Sequence, residues 1–132
     1  MEAIVGDLVL DTSAILAYTQ GKAGVEELVA NVVAGGGTVV VPAVAVAETR
    51  GELDYREELG RLDALVATTG VRVAPLDGAD AVDLGRLASR LNSTVGLAHA
   101  VAEAQRHEAR LVTAHGAHVR RSLGDLNGIV DL

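Results

Sequence analysis

Apolar residues along this chain fall into two rhythms. Short runs that are apolar at nearly every position alternate with longer stretches in which apolar side chains recur every three or four residues. The runs predict strands at 5–10, 38–42, 71–76, 110–115 and 128–132. "TVVVP" is an uninterrupted β-branched run, the mark of a strand buried on both faces. The longer stretches predict helices at 12–19, 23–34, 42–52, 55–70, 77–92, 93–109 and 116–124. In 23–34 the apolar positions are 25, 28, 29, 32 and 33, and Gly35 to Gly37 stop the helix. In 55–70, Leu59, Leu62, Leu65 and Val66 face inward. Ser93 or Thr94 caps the helix that follows, and Pro42 opens an earlier one at its first turn.

Strands separated by helical crossovers imply an α/β fold with a parallel sheet covered on both faces. Ligands in such sheets lie beyond the carboxyl ends of the strands. Three of those ends carry polar residues. The first delivers Asp11, Thr12 and Ser13, the second a helix bearing Glu48, and a later one Thr113 and His115.

Composition narrows the chemistry. With 132 residues the chain is one domain's worth, and there is no repeat, linker or low-complexity tract. It has no cysteine, so thiolate metal sites and disulfides are excluded, which fits a cytoplasmic setting. No basic-then-apolar leader is evident, and the longest apolar run is too short for a bilayer. The formal charge of −7 argues against broad electrostatic capture of nucleic acid, though not against a local basic patch. Arg50, Arg106, Arg110, Arg120 and Arg121 are the candidates for such a patch; salt bridges to Glu103, Glu108 and Asp125 are the competing role.

Asp11 can cap the helix after the first strand, face a cleft, or do both with different oxygens. Glu48 stands on an otherwise apolar helix, with Val41, Val44 and Ala45 on or near its face. It is either an ordinary solvated side chain paired with Arg50 or a partly buried acid. A buried Glu beside Asp11 would be costly unless a cation neutralised both, as Mg²⁺ or Mn²⁺ does with few protein ligands and several waters. His99, between alanines, reads as a core-boundary residue, while His107 and His118 read as solvated. Asp77, Asp80 and Asp83 suit the dipole of the helix they begin.

"LVLDTSAILAY", "VVVPAVAVAETR" and "GLAHAVAEAQRHEARLVTAH", in that order, resemble the PIN domain family and its VapC-like toxin ribonucleases. The resemblance implies a three-layer α/β/α sandwich with a central, mostly parallel sheet. It implies metal-dependent hydrolysis of RNA with Mg²⁺ or Mn²⁺. Asp11 matches the family's first acid, Glu48 its second, and Ser13 the hydroxyl that supports the first. Two further acids of the family pattern are absent. The third falls at Thr94, or a turn later at Gly96 or Leu97; the fourth falls at His115.

The expectation is therefore a VapC-like ribonuclease weakened by a reduced acid set. Asp11 and Glu48 hold one ion rather than two. Ser13 orients Asp11 or a water. Thr94 and His115 contribute a neutral oxygen and an imidazole. A homodimer and a small antitoxin partner follow by family analogy. The alternative is a catalytically inactive PIN-fold module that binds RNA or a protein. A flavodoxin-type nucleotide site ranks below both, because "LDTSAI" has no glycine to cradle a phosphate.

Overall fold

The structure is a computed structural model and describes residues 6–132. In chain order the elements are β1 (Leu8–Leu10), α1 (Thr12–Thr19), α2 (Ala23–Ala34), β2 (Val39–Pro42), α3 (Ala43–Glu52), α4 (Arg56–Ala67), β3 (Val71–Ala74), α5 (Gly78–Leu91), α6 (Val95–His107), β4 (Arg110–Thr113), α7 (Gly116–Leu123) and β5 (Ile129–Asp131). The strands form one sheet in the order β3–β2–β1–β4–β5, and every pairing is parallel.

The alternation of side chains along each strand explains the unbroken apolar runs. Leu8, Leu10, Val39, Val41 and Val112 point to one face, where they pack with Ile15 of α1, Val25 and Val29 of α2, and Leu62 and Leu65 of α4. Val9, Val40 and Leu111 point to the other, against Leu91 of α5, Leu97 and Val101 of α6, and Val119 of α7. Both faces of the inner strands β1 and β2 are thus buried, and neither strand carries a polar side chain. The result is the α/β/α sandwich that the sequence predicts.

Strand ends differ from the sequence reading in informative ways. The first strand is described from Leu8; Val5, placed in it by pattern, lies outside the described residues. Pro42 pairs with Ala74 as the last residue of β2 and also stands at the N-cap position of α3. Val41 therefore belongs to the strand and not to the face of Glu48. Pro75 and Leu76 lie beyond β3, and β4 ends at Thr113. There the Thr113 hydroxyl accepts from the His115 backbone N–H at 2.9 Å, turning the chain into α7. Among the described residues no helix is long and apolar enough to cross a membrane.

The sheet order reverses direction at β1. From it the chain proceeds to β2 on one side and pairs with β4 on the other. The carboxyl ends of β1 and β4 therefore flank the topological switch point, the position where doubly wound sheets open a crevice.

Candidate functional site

A cavity of about 420 Å³ opens at that switch point, lined by Asp11, Thr12, Ser13, Leu16, Glu48, Glu52, Thr94, Leu97 and His115. Every residue singled out from sequence, Asp11, Ser13, Glu48, Thr94 and His115, lies on its wall.

Asp11 is only 1% exposed. Its Oδ1 accepts from the Ala14 N–H at 2.8 Å and from Ser13 Oγ at 2.6 Å. Its Oδ2 accepts from Thr113 Oγ1 at 2.6 Å. Asp11 is thus the N-cap of α1 and also a member of the cavity wall. Neither oxygen is bare, because Thr113 holds Oδ2 as Ser13 and Ala14 hold Oδ1. Ser13 does more than support Asp11: its Oγ also accepts from the Ala114 N–H at 2.9 Å, tying α1 to the turn after β4.

Glu48 is half-buried and makes no pair with Arg50, contrary to its ordinary-surface reading. Its Oε1 accepts from Thr12 Oγ1 at 2.7 Å and its Oε2 from the Gly96 N–H at 3.3 Å. The carboxylate rests on the first turn of α6, where unsatisfied N–H groups and the helix dipole favour an anion. Only glycine permits this approach. A Cβ at residue 96 would lie 2.0 Å from Glu48 Oε1 and 2.4 Å from Thr12 Oγ1.

Thr94 caps α6, its Oγ1 accepting from the Leu97 N–H at 3.2 Å. His115 occupies the N-cap position of α7 without a side-chain cap bond and is exposed at the cavity mouth. Thr12, Thr113 and Gly96 bind the two acids directly, and sequence reasoning assigned none of them a role. Thr12 and Thr113 were visible as strand-end hydroxyls; Gly96 offered no side chain to notice.

The remaining polar residues correct other readings. Arg106 pairs with Asp80 and Glu103, and Arg120 with Asp125 and Asp131. These two arginines are engaged by acids and not turned toward the cleft. Arg120 binds Asp131 through two nitrogens, and that hydrogen bonding holds the Asp131 carboxyl below the usual carboxylate range. Asp83 pairs with Arg86 and Asp80 with Arg106, so these acids answer neighbouring guanidinium groups as well as the α5 dipole. His107 and His118 are not simply solvated. His107 Nε2 contacts Glu103 at 3.2 Å and Arg72 at 3.0 Å, and His118 Nε2 lies against the Leu91 carbonyl.

Among the described residues, no three His, Cys, Asp or Glu side chains gather closely enough to hold a metal ion. What remains in the cavity is Asp11 and Glu48, with the Glu52 carboxylate also on its wall. Each Glu48 oxygen accepts one protein bond, and Asp11 Oδ2 accepts one, so lone pairs remain on all three. Such hard oxygens fit one largely hydrated Mg²⁺ or Mn²⁺ and not a close pair of ions.

A parallel α/β/α sandwich with an acid-lined crevice at its switch point defines the class. The PIN domain family model matches residues 8–121, and the chain belongs to the PIN domain family. Three solved structures share the fold. VapBC2 from Rickettsia felis, bound to a DNA fragment from its promoter, aligns with a TM-score of 0.66 at 14% identity, over 95% of this chain and 97% of that one. PAE2754 from Pyrobaculum aerophilum aligns with a TM-score of 0.60 at 15% identity, over 96% and 85%. FitAB, also bound to a DNA fragment, aligns with a TM-score of 0.61 at 16% identity, over 94% of each chain. No curated protein matches the sequence at a significant level.

Proposed function

We propose that this PIN domain is a toxin-type ribonuclease that hydrolyses RNA phosphodiester bonds with Mg²⁺ or Mn²⁺, at low cation affinity. The observation that carries the reading is the convergence of Asp11 and Glu48, from different elements, on one cavity at the sheet's switch point. In this reading Asp11 Oδ2 and the Glu48 carboxylate hold a single ion, partly through its waters. A bound divalent ion supplies charge neutralisation at the scissile phosphate and a lowered pKa for water. The chain's own groups do the rest. Ser13 and Ala14 orient Asp11 through Oδ1. Thr12 fixes the Glu48 carboxylate, and the exposed imidazole of His115 stands at the mouth as the group that would take or give a proton.

Likeness in fold to VapBC2 and FitAB supports a small antitoxin protein as partner; self-association into a homodimer and a cytoplasmic setting are proposed by family analogy. The test is cleavage of a panel of single-stranded and hairpin RNAs with Mg²⁺ or Mn²⁺. Cleavage that disappears in Glu48→Gln supports the enzyme. No cleavage across the panel with either ion overturns it.

One observation favours a second reading, an inactive PIN module that binds RNA or a protein. Every oxygen of both acids already has a donor within the protein, and none of Thr94, Gly96 and Leu97, the places where the family pattern puts a third acid, is acidic. The carboxylates are then structural caps, and the wild-type chain shows no rise in melting temperature with millimolar Mn²⁺.

A further inference from the structure

His99 has no part in the cleft described above, yet it is 2% exposed and polar. Its place in the fold explains it. α3 starts at Ala43 behind Pro42, which has no side chain able to cap it, and no side-chain cap bond is formed there. The first N–H groups of a helix have no partner within the helix. One of them, Val44 N–H, donates to His99 Nδ1 at 3.4 Å. A residue of α6 therefore caps α3 through space.

Helical spacing gives this bond its consequence. Val44 precedes Glu48 by one turn of α3, and Gly96 precedes His99 by about one turn of α6. The two helices are thus joined twice along one seam, by Val44 to His99 and by Glu48 to Gly96. The second joint is soft, since a glutamate has three rotatable bonds. The first is stiffer, since one partner is helix backbone and the other a buried ring. A rigid joint one turn away fixes where the Glu48 Cα lies over the α6 N-terminus.

The bond needs an unprotonated Nδ1. Burial pushes the imidazole below its ordinary value, while Glu103 and the Pro75 carbonyl pull the other way and Arg106 reinforces the drop. The neutral ring that results can accept from Val44.

We propose that His99 is a positioning residue: as the through-space cap of α3, it holds Glu48 in register over Gly96. The importance of that register for function rests on the cleft reading above; the positional claim does not.

The test uses amide NMR of the full chain without metal. Glu48→Gln first calibrates how far the Gly96 N–H resonance moves when its acceptor loses charge. His99→Asn and His99→Gln are then compared. Asn places an oxygen where Nδ1 stands, whereas Gln carries its polar group one bond further. The expected result is that His99→Asn keeps the wild-type Gly96 shift and the slow exchange of the Val44 amide. His99→Gln moves the Gly96 resonance and speeds Val44 exchange by roughly tenfold or more. If His99→Gln is too unstable to assign, His99→Ala takes its place under the same expectation. The proposal is overturned if the disrupting variant leaves both signals unchanged, or if His99→Asn disturbs them as much. Paramagnetic broadening by Mn²⁺ of the Ser13 and Ala14 amides, read on wild type, tests the cation separately. Its absence removes the cation reading and leaves the His99 result standing.

Discussion

The hydroxyl of Thr113, at the end of β4, donates to Asp11 Oδ2 at 2.6 Å, across the point where the sheet changes direction. Thr113 is wholly buried and also accepts from the His115 N–H. It serves as both a lock on the acid and a corner for the chain. Thr113→Val keeps the shape and removes both bonds. Hydrogen bonds to charged groups are worth about 1.5–3 kcal/mol, so urea unfolding should show a loss in that range. The same change releases Asp11 Oδ2. If the cleft takes a cation, Mn²⁺ should raise the melting temperature of Thr113→Val more than that of wild type.

Asp11→Asn separates capping from charge. Asn and Asp cap helices about equally well, and the amide oxygen can still accept from Ser13 and Ala14. The amide nitrogen then meets the Thr113 hydroxyl, which is already an acceptor for His115. The expected cost is about 1–2 kcal/mol with the fold retained. Any Mn²⁺-dependent thermal shift and any RNA cleavage should vanish. A variant that keeps its cation response would remove Asp11 from the binding set.

How much of this was legible beforehand depends on whether the signal was local. Asp11 was, because a carboxylate after an apolar run and before a helix has few uses besides capping and lining a crevice. The parallel sheet was, because β-branched runs alternate with amphipathic stretches. The partners of the acids were not. Thr113 meets Asp11 only because β4 lies beside β1, and strand order is not written in periodicity. Glu48 meets Gly96 because α3 crosses α6, and a glycine carries no side chain to suggest a role. His99 read as a core-boundary residue and proves fully buried; that it caps a different helix required the packing. Of the two roles open to Arg120, cleft or salt bridge, the bridge to Asp125 is present, and pattern alone did not supply its second partner, Asp131, at the end of another strand.

The same buried His99 predicts a pH dependence. Facing it are Glu103 and Arg106 from its own helix, Asp80 and Asp83 from α5 around a shared cavity of about 150 Å³, and the Pro75 carbonyl. Its value in the folded chain lies below the ordinary 6.5, chiefly from burial. The unfolded chain therefore takes up this proton first as pH falls. The stability that His99 contributes is complete above 6.5 and is lost as pH drops from there through the folded value. Each unit of lowering is worth about 1.4 kcal/mol at its full extent. Urea unfolding at about pH 7.5 and about pH 5.5 should show wild type weakening on acidification, and His99→Asn weakening less.

Gly96→Asp tests whether the pocket is an acid site with a member missing. The new Cβ would lie 2.0 Å from Glu48 Oε1 and 2.4 Å from Thr12 Oγ1. The carboxylate ends a flexible side chain and can swing away, while the Thr12 hydroxyl moves only by turning its single χ1 torsion. An acid in the first turn of α6 suits the helix dipole by about 0.3–1 kcal/mol. Crowding it against Glu48 opposes that gain, because like charges in a partly buried cleft repel. Without metal the variant should be less stable than wild type. With Mn²⁺ that repulsion becomes affinity, since three carboxylates hold a hard cation better than two. The Mn²⁺ concentration giving half of the thermal shift should fall by at least about tenfold. Gly96→Ala is the control: it displaces Glu48 by the same steric route but adds no ligand, and should show no such gain. A Gly96→Asp chain that ignores Mn²⁺ would mean that Asp11 and Glu48 do not point at a common ion, and the inactive-module reading would then stand.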